Sequence, residues 1–120
     1  MQVQFRHKYY TGLADIRFAV YATNPECIAL RIVIPLTEEV VAIPTVNLED
    51  YDMVPKENHV FIKDYSEGAE MYNALCDAGV VKPNARKFTF GQFEAACFEA
   101  ELTNEAIKAM TNGIGDSNAK

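Results

Sequence analysis

An α+β fold is expected for this chain: an antiparallel β-sheet meander with one main helix packed on one face and a short helix at the C-terminus. Three observations predict it. Runs rich in β-branched and aromatic residues fill the first 48 positions and are separated by turn formers. Residues 60–81 read in order as strand, helix start, amphipathic helix and helix stop. A second strand-like stretch, 87–102, comes after them.

The expected strands in the first part are 2–10, 15–21, 27–34 and 40–48, divided by Thr11-Gly12, Asn24-Pro25 and Pro35-Leu36-Thr37. Val3 and Phe5 alternate with Gln2, Gln4 and Arg6. Likewise Ile28, Leu30, Ile32 and Ile34 alternate with Ala29, Arg31 and Val33. This is the pattern of a sheet covered on one face. Pro44 lies inside the fourth run and has no N–H to give a ladder, which predicts an edge strand or a bend.

The main helix is predicted over 66–78. Ser66 supplies an N-cap hydroxyl, and Glu67 and Glu70 put negative charge at the positive end of the helix dipole. Met71, Ala74, Leu75 and Ala78 form an apolar stripe, with Asn73 and Asp77 turned to water. Gly79 is placed to end the helix in a left-handed conformation, with Val80 folding back onto the last turn before Pro83. Gly68, in the first turn, costs up to about 1 kcal/mol relative to alanine.

In 87–102, Phe88 and Phe90 share a face and Gly91 permits a bulge. Ala96, Phe98, Ala100 and Leu102 then oppose Cys97, Glu99 and Glu101, with the two glutamates facing solvent. A bent strand or two short strands would satisfy this. Thr103 is placed to cap a final helix over 104–111 that carries Ala106, Ile107 and Met110 on one side. One domain is therefore expected over 1–111 and a flexible polar tail over 112–120. With 49% hydrophobic residues such a domain needs neither disulfide nor metal. Cys27, Cys76 and Cys97 are odd in number, widely spaced and inside expected elements, so reduced core thiols are anticipated. No apolar run suits a signal peptide or a membrane span, and a cytoplasmic location is expected.

Charge is unevenly distributed. Residues 1–36 carry 4 cationic against 2 anionic side chains, 37–81 carry 2 against 10, and 82–120 carry 5 against 5. The net charge of −6 thus arises in the middle third, from Glu38, Glu39, Glu49, Asp50, Asp52, Glu57, Asp64, Glu67, Glu70 and Asp77. Such a field repels phosphate backbones, which disfavours direct nucleic-acid binding, and attracts a basic protein surface.

Residues for catalysis are sparse. His7 and His59 lack partners at zinc-ligand spacing, and Asp77 beside Cys76 raises rather than lowers a thiol pKa. Glu94, Glu99 and Glu101 have no evident orienting partner for acid-base work. Neither GxGxxG nor a Walker-type loop occurs. No catalytic residue, cofactor or metal is expected, and the chain is not expected to be an enzyme. Tyr9-Tyr10, Tyr51 and Tyr65 fall near strand ends or loops, where a half-exposed ring suits protein contacts.

Four segments carry a resemblance: KYYTG at 8–12, TVNL at 45–48, PKENHVFIKDYSEGAEM at 55–71, and Arg86 with Gly91 and Glu94 downstream. Together they resemble an uncharacterised family of small proteins from gut bacteria and their mobile elements, with TVNL, PENE, FIKDYSEN and a closing GFVE segment. The likeness covers about 8–102 and is most specific in its central segment. Gly68 stands where that pattern has Asn, Gln92-Phe93 where it has Phe-Val, and extra residues lie around 34–40. The resemblance implies a mobile-element or phage setting but no active site.

Small acidic proteins from such elements resemble anti-CRISPR and anti-restriction inhibitors in size and charge, an analogy that does not itself establish function. The functional expectation is therefore an acidic protein-binding inhibitor or modulator that occupies the basic nucleic-acid groove of a bacterial defence protein such as a CRISPR effector. Its expected contacts are Glu49, Asp50, Tyr51, Asp52, Asp64, Tyr65, Glu67 and Glu70. The alternative is a structural or regulatory module that homodimerises through an edge strand near Pro44.

Overall fold

The computed structural model describes residues 1–65 and 70–118, with side chains described through Asn112. Its elements are β1 (Gln2–His7), β2 (Tyr10–Tyr21), β3 (Asn24–Val33), β4 (Val40–Ala42), β5 (His59–Lys63), α1 (Met71–Asp77), β6 (Arg86–Phe90), β7 (Ala95–Glu101) and α2 (Asn104–Asn118). The strand pairings are antiparallel, and with the two helices they make the class α+β. The strands divide between two sheets. One has the order β1-β2-β3-β4, and in the other β7 lies between β5 and β6.

Side-chain alternation decides which faces meet. Val3, Phe5, Ala14, Ile16, Ile28, Leu30 and Ile32 of the first sheet join Val60, Ile62 and Ala100 of the second, with Leu102 just beyond β7. Met71, Ala74 and Leu75 of α1 complete this main core. Burying each large aliphatic side chain there contributes about 1.5–3 kcal/mol relative to exposure. Phe61 and Cys97 face the other way and, with Leu48, form a smaller core against Val46, Met53, Phe88 and Phe90. The second sheet is thus covered on both faces. Phe88 and Phe90 share a side, as their spacing predicts.

The helix α1 starts later than expected. Glu70, just before it, is left-handed (φ 65°) and makes no side-chain cap, so α1 itself begins at Met71. Ser66, Glu67 and Gly68, on which the expected start rested, lie outside the described residues. The stop matches its prediction. Gly79 has φ 78° and its N–H donates to the Cys76 carbonyl (3.0 Å), while the Val80 N–H reaches back to Leu75 (3.0 Å). These two bonds satisfy carbonyls that a helix end leaves open.

Two turns move from their expected places. Residues 8–9 turn between β1 and β2, and Gly12 lies inside β2 with φ 145°, under the Tyr10 ring, where a Cβ would sit 3.1 Å from the hydroxyl. Residues 22–23 turn between β2 and β3, leaving Pro25 where the register of the pair shifts. An irregular stretch tolerates the missing N–H.

The fourth expected strand is also shortened, because β4 ends at Ala42. The chain then crosses to the second sheet: the Lys63 N–H donates to the Pro44 carbonyl (3.0 Å) and the Val46 N–H to Phe61 (3.0 Å). Pro44 therefore belongs to the crossing and not to an open edge. Thr103 caps α2 as anticipated, accepting from the Ala106 N–H (3.2 Å) while donating to the Gly79 carbonyl (2.7 Å). A single hydroxyl thus ties the end of α1 to the start of α2, which runs beyond the expected Thr111.

Glu99 corrects the expectation of a solvent-facing carboxylate. It is 7% exposed, accepts from the Lys56 N–H (3.0 Å) and pairs with Arg86 (3.0 Å). Burial pushes its pKa up, but the Lys56 N–H and the Arg86 guanidinium together outweigh that and hold it below the usual 4.5. A depressed carboxyl pKa stabilises the fold above its unfolded value, and this is lost as pH falls through the folded value. Urea midpoints of wild type should therefore fall as the pH drops below about 4.5, in part through this group. Glu99→Gln should flatten that fall, leaving the part due to Asp15, whose pKa is also lowered. Parallel pH profiles for the two proteins would refute the assignment.

Candidate functional site

Leu48 is fully buried in the smaller core, and the next residues, Glu49–Tyr51, form one 3-10 turn. The Tyr51 and Met53 N–H groups donate to the Leu48 carbonyl (3.0 and 3.2 Å) and the Asp52 N–H to Glu49 (3.0 Å). Asn47 Oδ1 accepts from the Glu49 N–H and from the Asn24 side chain of β3, each at 3.1 Å. Asp52 closes the turn in a left-handed conformation (φ 54°), which aspartate tolerates better than most residues. An apolar plug inside thus fixes Glu49, Asp50, Tyr51 and Asp52 outside, all four exposed.

An aromatic hub sits beside this turn. The Tyr51 ring meets Phe90 edge-on at 5.1 Å between centroids, and Tyr65 meets the same ring at 6.2 Å. Gly91 lets the Tyr51 hydroxyl close in, since a Cβ there would lie 3.3 Å from it. Residues 91–94 turn between β6 and β7, closed by the Glu94 N–H to Gly91 (3.2 Å), with Glu94 left-handed at φ 50°. That turn presents Phe93, which is 90% exposed.

The structure therefore gathers Glu49, Asp50, Tyr51 and Asp52 in one turn and brings Tyr65 to them through Phe90. Asp64 and Glu70 adjoin each other, the Glu70 N–H donating to Asp64 Oδ1 (3.3 Å). Glu67 lies outside the described residues. The nine described carboxylates of the middle third do not form one patch, because the fold carries them to different elements. Glu38 pairs with Arg17 of β2, and Asp64 pairs with Lys87 at 3.1 Å. Asp77 borders a crevice beside Gln4 and Arg6 of β1. Among the described residues no ion-pair partner faces Glu49, Asp50, Asp52 or Glu94. The turn that carries Glu49, Asp50 and Asp52 adjoins the hairpin tip that carries Glu94 through the contact of Tyr51 with Gly91.

Sequence reasoning missed Phe90, Phe93 and Glu94 as parts of this surface. The Arg86, Gly91 and Glu94 spacing was the available signal, since a left-handed glycine at a hairpin tip directs the path of the residues after it. The other motifs of the resemblance build the platform. Thr45 Oγ1 accepts the Leu30 N–H (3.1 Å) that β4 is too short to reach. In KYYTG, Tyr10 donates to the Leu13 carbonyl (2.7 Å). In the central segment the Leu102 N–H donates to the Asn58 carbonyl (2.8 Å), and Arg86 holds Glu99.

Burial pushes the Cys27 thiol up to about 11 and Cys97 to about 12, so both are protonated at neutral pH. Among the described residues no group of three or more His, Cys, Asp or Glu could hold a metal ion, and no helix is long and apolar enough to cross a membrane. A cavity of ≈ 600 Å3 lies among Val20, Ile28, Val54, Pro55 and Met110, with Glu57 also lining it. No protein-family model, curated protein or solved structure matches this chain.

Proposed function

We propose that this protein is a non-enzymatic protein-binding inhibitor or modulator that docks its acidic turn onto a basic protein surface. In the version that the family resemblance suggests, that surface is the nucleic-acid groove of a bacterial defence effector. The observation that carries the reading is the turn itself: Glu49, Asp50 and Asp52 are exposed, without ion-pair partners among the described residues, and fixed by the buried Leu48. Pre-ordered charge steers association without an ordering cost at contact.

The test uses a purified guide-free CRISPR effector nuclease, titrated at two salt concentrations. Changing Glu49, Asp50 and Asp52 together to Lys should slow association by about tenfold or more at low salt and remove most of its salt dependence. Unchanged rates and an unchanged salt slope would defeat the proposal.

A further inference from the structure

We propose that Phe93 is the apolar anchor of this docking surface, inserting into a hydrophobic pocket of the partner whose rim is lined by Lys or Arg. This rests on the acidic-docking reading and names what the partner must present. A single exposed apolar residue is ordinary on a protein surface. Leu36, 96% exposed, stands on a similarly closed turn beside the left-handed Glu38, but the tip that carries Phe93 also packs against the acidic turn through Tyr51. Phe93 stands 90% exposed on a two-strand tip whose backbone is closed by the Glu94–Gly91 bond and bent through two left-handed residues, Gly91 (φ 75°) and Glu94 (φ 50°). A glutamate takes that conformation only where its surroundings impose it.

The tip is also fixed from behind. Phe90 is clasped by Tyr51 and Tyr65, and the Tyr51 hydroxyl packs against Gly91. The ring is therefore presented with little backbone freedom left to lose on binding, and the loss of such freedom is a main cost of association. Its surroundings define the partner. Glu94 is its neighbour in the chain, and Tyr51, which touches Gly91, belongs to the turn that carries Glu49, Asp50 and Asp52. An aromatic anchor on a tip that adjoins unpaired carboxylates fits the anatomy of an interface, in which an apolar centre is bordered by a polar rim. Charge complementarity requires cations around the receiving pocket. The same carboxylates repel anionic lipid headgroups and a second copy of themselves.

The experiment measures association and dissociation rates for the guide-free effector nuclease with wild type, Phe93→Ala, Phe93→Leu and the triple Lys variant. Phe93→Ala should weaken affinity by about 30-fold or more, almost wholly through faster dissociation, with the salt slope unchanged. Phe93→Leu should recover most of the loss, and the thermal midpoints of both should stay at the wild-type value because the side chain is exposed. If the triple Lys variant loses binding while Phe93→Ala does not, the acidic reading stands and the anchor is wrong. If wild type does not bind, or the triple Lys variant binds like wild type, both are wrong. Light scattering that shows a wild-type dimer abolished by Phe93→Ala, or Phe93-dependent binding to anionic phosphatidylserine vesicles, would overturn the anchor in favour of those occupants.

Discussion

Replacing Leu48 with alanine is expected to destabilise the protein by about 2–5 kcal/mol. Leu48 is fully buried, and with Phe61 and Cys97 it forms the centre of the smaller core, so truncation opens a cavity between Val46, Met53, Phe88 and Phe90. The effect should reach function as well as stability. The Leu48 carbonyl accepts the N–H groups of both Tyr51 and Met53, so loosening this residue loosens the turn that presents Glu49, Asp50 and Asp52. Chemical denaturation checks the first part, and Leu48→Met, which keeps the volume, should cost less than about 1.5 kcal/mol. Equal midpoints for Leu48→Ala and wild type would mean that the smaller core does not hold the site.

The second large effect lies at Thr45. Thr45→Val keeps the shape and removes the hydroxyl, leaving the buried Leu30 N–H without its acceptor at a cost of about 1–3 kcal/mol. The Tyr21 hydroxyl, 3.3 Å from the same oxygen, loses a partner too. Thr45→Ser keeps the hydroxyl and gives up one methyl, costing about 0.8 kcal/mol. Denaturation of the two variants should therefore rank Ser above Val. The reverse order would show that packing, and not the hydrogen bond, is what position 45 supplies.

Local signals are legible in the sequence where they are self-contained. Gly79 and Val80 can be seen as a helix stop because the stop needs only its own few residues, and Thr103 can be seen as a cap for the same reason. Val3, Phe5, Leu30 and Ile32 declare themselves as core because a two-residue period on a half-covered sheet leaves no other face for them. Thr45 and Pro44 are not legible as a crossing between sheets, since what defines them is the distant Leu30 and Lys63. Glu99 looks solvent-facing in sequence because alternation cannot report that a partner such as Arg86 and the N–H of Lys56 will accompany a carboxylate inward.

The site divides along the same line. Glu49, Asp50, Tyr51 and Asp52 are contiguous in sequence, so their clustering is visible there. Asp64 cannot be seen to pair with Lys87, nor Glu38 with Arg17, because ion pairs between elements depend on the register of strands not yet assigned. Phe93 escapes notice for a related reason. A lone phenylalanine in a strand-like run reads as core until a turn is shown to push it outward.

Amide hydrogen exchange of the protein, free and with the guide-free effector nuclease, tests the central claim most directly. Protection gained on binding should concentrate at residues 48–53 and 90–95, with the rest of the molecule unchanged. Protection centred instead on the outer face of the first sheet, around Gln4, Arg17 and Arg31, with the acidic turn exchanging as in the free protein, would contradict it.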